Sequence, residues 1–364
     1  MWRSSRNIEN SPQFWRAFGG GFGGPLVRGK TFFWAAGEGY RDGLSQNQTM
    51  HVPTAAMRNG DFSQLTDAQG RQMVIYDPLT TDASGNRQPF SGNVIPAGRI
   101  NPWAREFLKA IPMPTRNVDD SGGNLPAQDV IKNKAQQASR KLDHHFNDRI
   151  SLSGVYLFQN SSEPDRNFYP DARYAFSSYQ LDRAINVLVV NNTYIMNPST
   201  VATLRFGMNT FEDNNSLPFD FDAATLGFAP SFVSQMPVQK FPSVGLTGYN
   251  GTGFSGVNNR SYYSYGGNGT ITRLAGAHSL KLGADYRILG IKAENFGQSA
   301  GSYTFNGQFT GSNVSNASAT SRNAIADLLL GYPSSGSFAK NSPVNNSINY
   351  YSAYVQDDGA RTIG

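Results

Sequence analysis

Between residues 279 and 288 every second side chain is apolar or aromatic: Leu280, Leu282, Ala284, Tyr286 and Ile288 alternate with Ser279, Lys281, Gly283, Asp285 and Arg287. Successive side chains of a strand point to opposite faces, so this spacing predicts a strand with one oily and one polar face. The dyad recurs at 200–212, where Ala202, Leu204, Phe206 and Met208 oppose Thr203, Arg205, Gly207 and Asn209, and at 149–160, with Ile150, Leu152, Gly154, Tyr156 and Phe158 on one side. Weaker versions fall at 31–41 (Phe32, Trp34, Ala36, Tyr40), 138–146 (Leu142, Phe146), 183–195 (Ile185, Val187, Val189, Ile195) and 350–356 (Tyr351, Ala353, Val355). The Gly- and aromatic-rich segments 14–24 and 262–274 are read as strands because each abuts a clearer one. About nine strands are expected, and the fold class is all-β.

The connections alternate in length. Val27-Arg28-Gly29-Lys30, Asn147-Asp148, Asn197-Pro198-Ser199 and Ala275-Gly276-Ala277 carry tight-turn residues. Between these hairpins run stretches at 42–136, 161–182, 213–261 and 293–347, rich in Asn, Asp, Ser, Gly and Pro and read as solvated linkers. Ala104 to Ile111 and Asn323 to Leu330 each carry a helical apolar pattern within them. In an up-and-down antiparallel sheet every second connection emerges on the same side. Short-long alternation therefore predicts all turns at one end and all loops at the other, the asymmetry of a transmembrane β-barrel with short periplasmic turns and long extracellular loops. A soluble sandwich would space its turns more evenly.

Composition agrees. Aromatics reach 12%, with 24 Phe and 17 Tyr, beside 38 Gly, while only 16% of residues are charged. No window approaches the roughly 18 apolar residues of a membrane helix, but a barrel strand hides its apolar half in alternation. The net charge of +5 is scattered singly along the chain, which argues against a nucleic-acid footprint. Met1-Trp2-Arg3-Ser4-Ser5-Arg6 has no apolar export region. With no Cys in the chain, a disulfide framework, a thiolate metal site and a Cys nucleophile are excluded.

No residue set here carries catalysis, and no cofactor or metal is expected. Gly24-Pro25-Leu26-Val27-Arg28-Gly29-Lys30-Thr31 fits the phosphate-loop spacing, yet it follows a glycine run, leads into Phe32, Phe33 and Trp34, and loses an N–H to Pro25. A hairpin turn is the better reading. His144 and His145 are adjacent on a strand and so point apart, unable to share an ion. Asp119-Asp120, Asp220 with Asp222, and Glu212-Asp213 lie in loop sequence without EF-hand spacing. No G-x-S-x-G elbow is present. The clusters Phe32-Phe33-Trp34, Tyr262-Tyr263 with Tyr265, and Tyr350-Tyr351 with Tyr354 suit a membrane-interface girdle, since these rings pair an apolar body with a wet tip.

Several ordered segments resemble the Oar-like group of TonB-dependent transporters. Phe18-Gly19-Gly20-Gly21-Phe22-Gly23-Gly24-Pro25, then Lys30-Thr31-Phe32-Phe33 and Glu38-Gly39, are similar to that family's opening barrel hairpin. Val52-Pro53-Thr54, Met57-Arg58-Asn59-Gly60-Asp61-Phe62-Ser63, Ile75-Tyr76-Asp77-Pro78, Asn93-Val94-Ile95-Pro96 and Arg99-Ile100-Asn101-Pro102 resemble its first long loop. His278-Ser279-Leu280-Lys281-Leu282-Gly283, Phe305-Asn306-Gly307-Gln308-Phe309-Thr310-Gly311, Ala326-Asp327-Leu328-Leu329-Leu330-Gly331-Tyr332-Pro333 and Tyr354-Val355-Gln356-Asp357-Asp358 continue in family order.

The resemblance implies about 22 strands, an N-terminal plug and ligand uptake driven by TonB. Against it, the chain reads as residues 1–13 of extension, a partial barrel domain at 14–358 and a non-family tail at 359–364, without plug or export signal. The expected product is part of the barrel wall of a receptor in the bacterial outer membrane, a gene fragment with unpaired edges near 14–24 and 350–358. Its expected partners are outer-membrane lipid, the plug and remaining strands, and TonB through the plug alone; the ligand is unassigned and nucleic acid is not expected. Leu280, Leu282, Tyr286, Leu204, Phe206, Ile150, Leu152 and Phe158 are expected to meet lipid, and Lys281, Asp285, Arg287 and Arg205 to face inward. A surface adhesion protein that transports nothing, and a secreted β-rich enzyme, are the competing readings.

Overall fold

The computed structural model describes residues 13–116, 123–174, 180–216, 221–253 and 257–359. Nine long strands dominate it: β1 Phe14–Val27, β2 Thr31–Met50, β3 Leu125–His145, β4 Ile150–Pro164, β5 Gln180–Asn197, β6 Thr200–Ser216, β7 Val257–Ala275, β8 His278–Gly297 and β9 Val344–Gly359. They form one antiparallel sheet in sequence order, each bonded to the next. Among the described residues, β1 pairs only with β2 and β9 only with β8, so the sheet is open. Every strand exceeds the roughly 9–11 residues needed to cross a bilayer.

The strands outrun the expected boundaries. β2 continues to Met50 and β3 begins at Leu125, because twenty consecutive register pairs zip Thr31–Met50 onto His144–Leu125. Gly359, read from sequence as part of the tail, still pairs with His278. Turns fall where the turn residues lie: Lys30 N–H donates to Val27 O, Gly29 sits at φ 71°, and Asn147 Oδ1 accepts from the N–H groups of Arg149 and Ile150. All four tight turns lie at one end and all four long connections at the other.

Those long connections are not solvated linkers. They fold together into a cap with its own apolar core, in which Phe62, Ile75, Ile95, Phe107, Val244, Ile325, Leu328 and Leu329 are all buried. Two helices organise it. α1, Pro102–Ala110, starts where Asn101 Oδ1 accepts from Trp103 N–H, and α2, Ala324–Leu330, starts where Asn323 caps Ile325 and Ala326 and ends at Gly331 in the left-handed region. Around them lies a small sheet of Tyr249–Thr252, Ser243–Leu246, Ser302–Phe305 and Ser335–Ser337, in which Ser243–Leu246 and Ser302–Phe305 run parallel. Its members come from two loops far apart in sequence. No short-range alternation announces such strands, since their pairing exists only once the loops meet.

Candidate functional site: two faces of the sheet and the cap above them

Directly opposed residues of an antiparallel pair share a face, so the register sorts side chains across the whole sheet. One line reads Asp143, Ser153, Asn191, Arg205, Asn268, Asp285 and Ser352 from β3 to β9. Seven polar side chains in sequence-distant strands thus fall in a single row. Within it Arg205 Nε donates to Asn191 Oδ1 at 2.6 Å, and Arg287 Nε meets Asp285 Oδ1 at 2.7 Å. Lys141 Nζ lies 2.8 Å from Asp143 Oδ2, and Lys281 Nζ sits 5.8 Å above the Tyr354 ring on the same face. The four charged residues singled out in the sequence, Lys281, Asp285, Arg287 and Arg205, therefore share this face.

The neighbouring line on the opposite face reads Phe33, Leu142, Gly154, Val190, Phe206, Gly267, Tyr286 and Tyr351. Leu280, Leu282, Leu204, Ile150, Leu152 and Phe158 belong to the same face. None of the described residues covers it: Leu204 is 64% exposed, Tyr351 72% and Val355 74%. Across its middle Tyr156 Oη donates to Asn186 Oδ1 at 2.7 Å and Asn186 Nδ2 to Thr210 Oγ1. Arg140 interrupts the row of Ala35, Tyr156, Leu188 and Met208.

Two strands depart from the expected phase. Phe32, Trp34, Ala36 and Tyr40 of β2, and Ile185, Val187, Val189 and Ile195 of β5, share the face of Arg205 and Lys281 rather than that of Leu204. In β5 both faces are apolar at mid-strand, since Leu188 and Val190 oppose Val187 and Val189. Alternation cannot choose there. The choice comes from the neighbouring ladders, which fix β5 to β4 and β6 residue by residue.

On the polar face a cavity of about 550 Å³ is lined by Glu38, Gln137, Ser139 and Gln159, with Leu157 and Val187. Gln137 Nε2 donates to Glu38 Oε1 across β2 and β3. The cap stands at the loop end and joins this face: Met50, Leu125 and Ala127, all on it, pack into the cap core, and Asn167 N–H donates to Asp129 Oδ2 at 2.7 Å.

Each long connection contributes an aromatic ring or a backbone clasp to the cap. Trp103 and Phe107 stack at 5.2 Å, Phe107 meets Phe241 at 5.7 Å, Tyr174 meets Phe241 at 4.8 Å, and Trp103 packs on Tyr303 and Phe305. Arg87 Nη1 donates to Gln308 O and Gly311 O, and Arg58 donates to the carbonyls of Pro53, Leu108, Ile111 and Pro112. Burial lowers the Arg58 guanidinium to about 10 and pushes the Asp327 carboxyl up to about 6. The N–H groups of Phe309 and Thr310 and the Thr310 hydroxyl donate to Asp327 and oppose that upward shift. None of these cap residues was singled out as functional from sequence, because each acts on a partner in another part of the loops or in a different loop.

The remaining sequence candidates are not brought together. Residues 24–31 are the end of β1, the turn at 28–30 and the first residue of β2 rather than a strand-to-helix loop. His144 shares the apolar face and its Nδ1 meets Thr31 Oγ1 at 2.8 Å, while His145 lies on the other face. Glu212 and Asp213 likewise sit on opposite faces of β6, and Asp222 caps a short 3₁₀ turn. Asp119, Asp120 and Asp220 lie outside the described residues. Among the described residues no three His, Cys, Asp or Glu side chains gather as a metal site.

A tall antiparallel sheet with one apolar face, one polar face and every long loop at one end defines the wall of a membrane β-barrel. The chain belongs to the outer membrane beta barrel domain family, which it matches over residues 3–358, and it is a protein of the bacterial outer membrane. Comparison with curated proteins found no match. Among solved structures, the outer membrane transporter YddB from Escherichia coli is similar at 11% identity with a TM-score of 0.50, over 94% of this chain and 31% of the transporter. That likeness concerns the fold, and the chain spans about a third of the transporter's length.

Proposed function

We propose that this chain forms part of the wall and extracellular cap of a TonB-dependent, Oar-like receptor that takes up a ligand, and that it is not an enzyme. The observation that carries the reading is the polar row from Asp143 to Ser352 on the face that the cap joins, opposite uncovered apolar rows. The apolar face then meets lipid and the polar face lines a lumen. A ligand would meet the cap first and then the recess bordered by Glu38 and Gln137. The motif order described above and the likeness to an outer membrane transporter support uptake. A plug and further strands from elsewhere in the receptor would complete the barrel, with TonB acting on the plug.

The test is accumulation in the native host. Deleting the gene should abolish energy-dependent uptake of one ligand class, and removing TonB should give the same loss. Surface binding that survives both changes without any accumulation would favour an adhesion protein instead.

A further inference from the structure

On the apolar face toward the loop end, between Phe18 and Phe14 along β1, Arg16 lies directly opposite Arg41 of β2, and Arg41 directly opposite Lys134 of β3. Lys132 stands two residues further along β3 on the same face, and all four side chains are exposed. Like charges directly opposed across a sheet destabilise it, because their Cβ atoms lie only about 4.5–5.5 Å apart. Here the arrangement occurs twice in succession. Among the described residues none of the four cations has a carboxylate partner: Arg16 lies 5.5 Å over the Phe14 ring and forms no ion pair. The same register line turns acidic only at Asp182, beyond Ser162, and Glu212 and Glu294 also lie towards the far strands.

Position identifies what offsets the repulsion. The register lines below this one carry Phe22, Phe33, Phe158 and Tyr156 on the same face, while the next line up from Phe158 is Phe18, Gly39, Gln136, Asn160, Ala184 and Glu212, polar or small in every strand but β1. From β2 to β6 the apolar band therefore ends two side-chain lines below Arg41, about 13 Å along the strand at roughly 3.3 Å per residue, while on β1 Phe18 and Phe14 flank Arg16. That is head-group height at the loop end. A cavity of about 720 Å³ runs alongside, lined by Phe18, Gly39, Phe158, Arg41 and Lys134, with Asp182 and Glu212 at its far end.

We propose that Arg16, Arg41 and Lys134, with Lys132, hold the phosphate of an outer-leaflet lipid head group, with an acyl chain passing Phe18 and Phe158. This rests on the reading that the apolar face meets lipid. Basic side chains at a membrane surface each contribute about 1 kcal/mol toward anionic lipid, a factor of about fivefold.

The test uses the protein purified from outer membranes into phosphatidylcholine nanodiscs, with native mass spectrometry of bound lipid A, of the same lipid A without its phosphates, and of inorganic phosphate. Wild type should retain phosphorylated lipid A over the dephosphorylated form. Arg41→Gln with Lys134→Gln should lower that affinity roughly 30-fold, whereas Lys281→Gln on the other face leaves it unchanged. Equal retention of the two lipids, an unchanged double variant, or competition by inorganic phosphate alone would overturn the proposal. A Leu204→Cys variant reports the facing separately, because the chain has no other cysteine. Labelling of that cysteine by a lipid-soluble reagent and not by a water-soluble one, together with no phosphate selectivity, sinks the head-group site while leaving the lipid face standing.

Discussion

The side chain of Asn124 closes on the backbone of Val52 as a second strand would: Val52 N–H donates to Asn124 Oδ1 at 3.0 Å, and Asn124 Nδ2 donates to Val52 O at 2.8 Å. Asn124 N–H donates in turn to Met50 O, and Asn124 is fully buried. The first long loop is thereby cinched where it leaves β2 and where it returns to β3. Asn124→Asp should unlatch it, because a carboxylate oxygen would face the Val52 carbonyl in place of a donor. Leaving such buried groups unsatisfied costs about 1–3 kcal/mol. Faster amide exchange at Val52, with strand amides such as Leu204 unchanged, is the expected result of hydrogen-exchange mass spectrometry.

The two faces of β8 should respond oppositely to the same residue. Leu282 shares the uncovered apolar face with Leu204, and Lys281 shares the polar face with Arg205. An arginine on the lipid side costs about 2–4 kcal/mol at the bilayer centre and less toward its edges. Leu282→Arg should therefore reduce the folded, heat-modifiable fraction in outer membranes, while Lys281→Arg leaves it near wild type. Equal tolerance would reverse the facing.

Gly331 ends α2 at φ 76°, and a Cβ there would meet the Asn101 side chain at 2.3 Å. Asn101 is itself the N-cap of α1, and its N–H donates to Leu329 O at 2.7 Å. Gly331→Ala should thus disturb both helices at once, through backbone strain and through displacement of a cap worth about 1 kcal/mol. Limited proteolysis of intact cells should show earlier cleavage in residues 51–116 and 298–343.

Asp327 gives the cap a pH dependence. Its folded pKa, about 6, lies above the ordinary carboxylate value, so the folded state favours the protonated form. The stability from this group is fully present below about pH 4 and declines as pH rises through about 6. Exchange at the amides of Phe309 and Thr310, after correction for intrinsic rates, should therefore be slower at pH 5 than at pH 7.5. The difference should vanish in Asp327→Asn. A cap whose protection is flat across this range would show that Asp327 is not the titrating group.

Much of the barrel wall was legible in the sequence because its signal is local. Alternation at 149–160, 200–212 and 279–288 needs no partner to be seen, and turn residues such as Asn147 and Gly276 act within a few positions. The two apolar stretches read as helices, ending in the α1 and α2 described here, announce themselves in the same way. By itself the sequence determined that long strands alternate with short turns and long loops, and that Leu204 and Leu282 oppose Arg205 and Lys281. Only the tertiary structure decided the phase of β2 and β5, where both faces carry apolar side chains and neighbouring ladders break the tie. It alone also decided that four loops share one core, and that Arg16, Arg41 and Lys134 stand side by side. Those relationships join residues tens to hundreds of positions apart, and periodicity within one segment carries no information about which distant segment will lie against it.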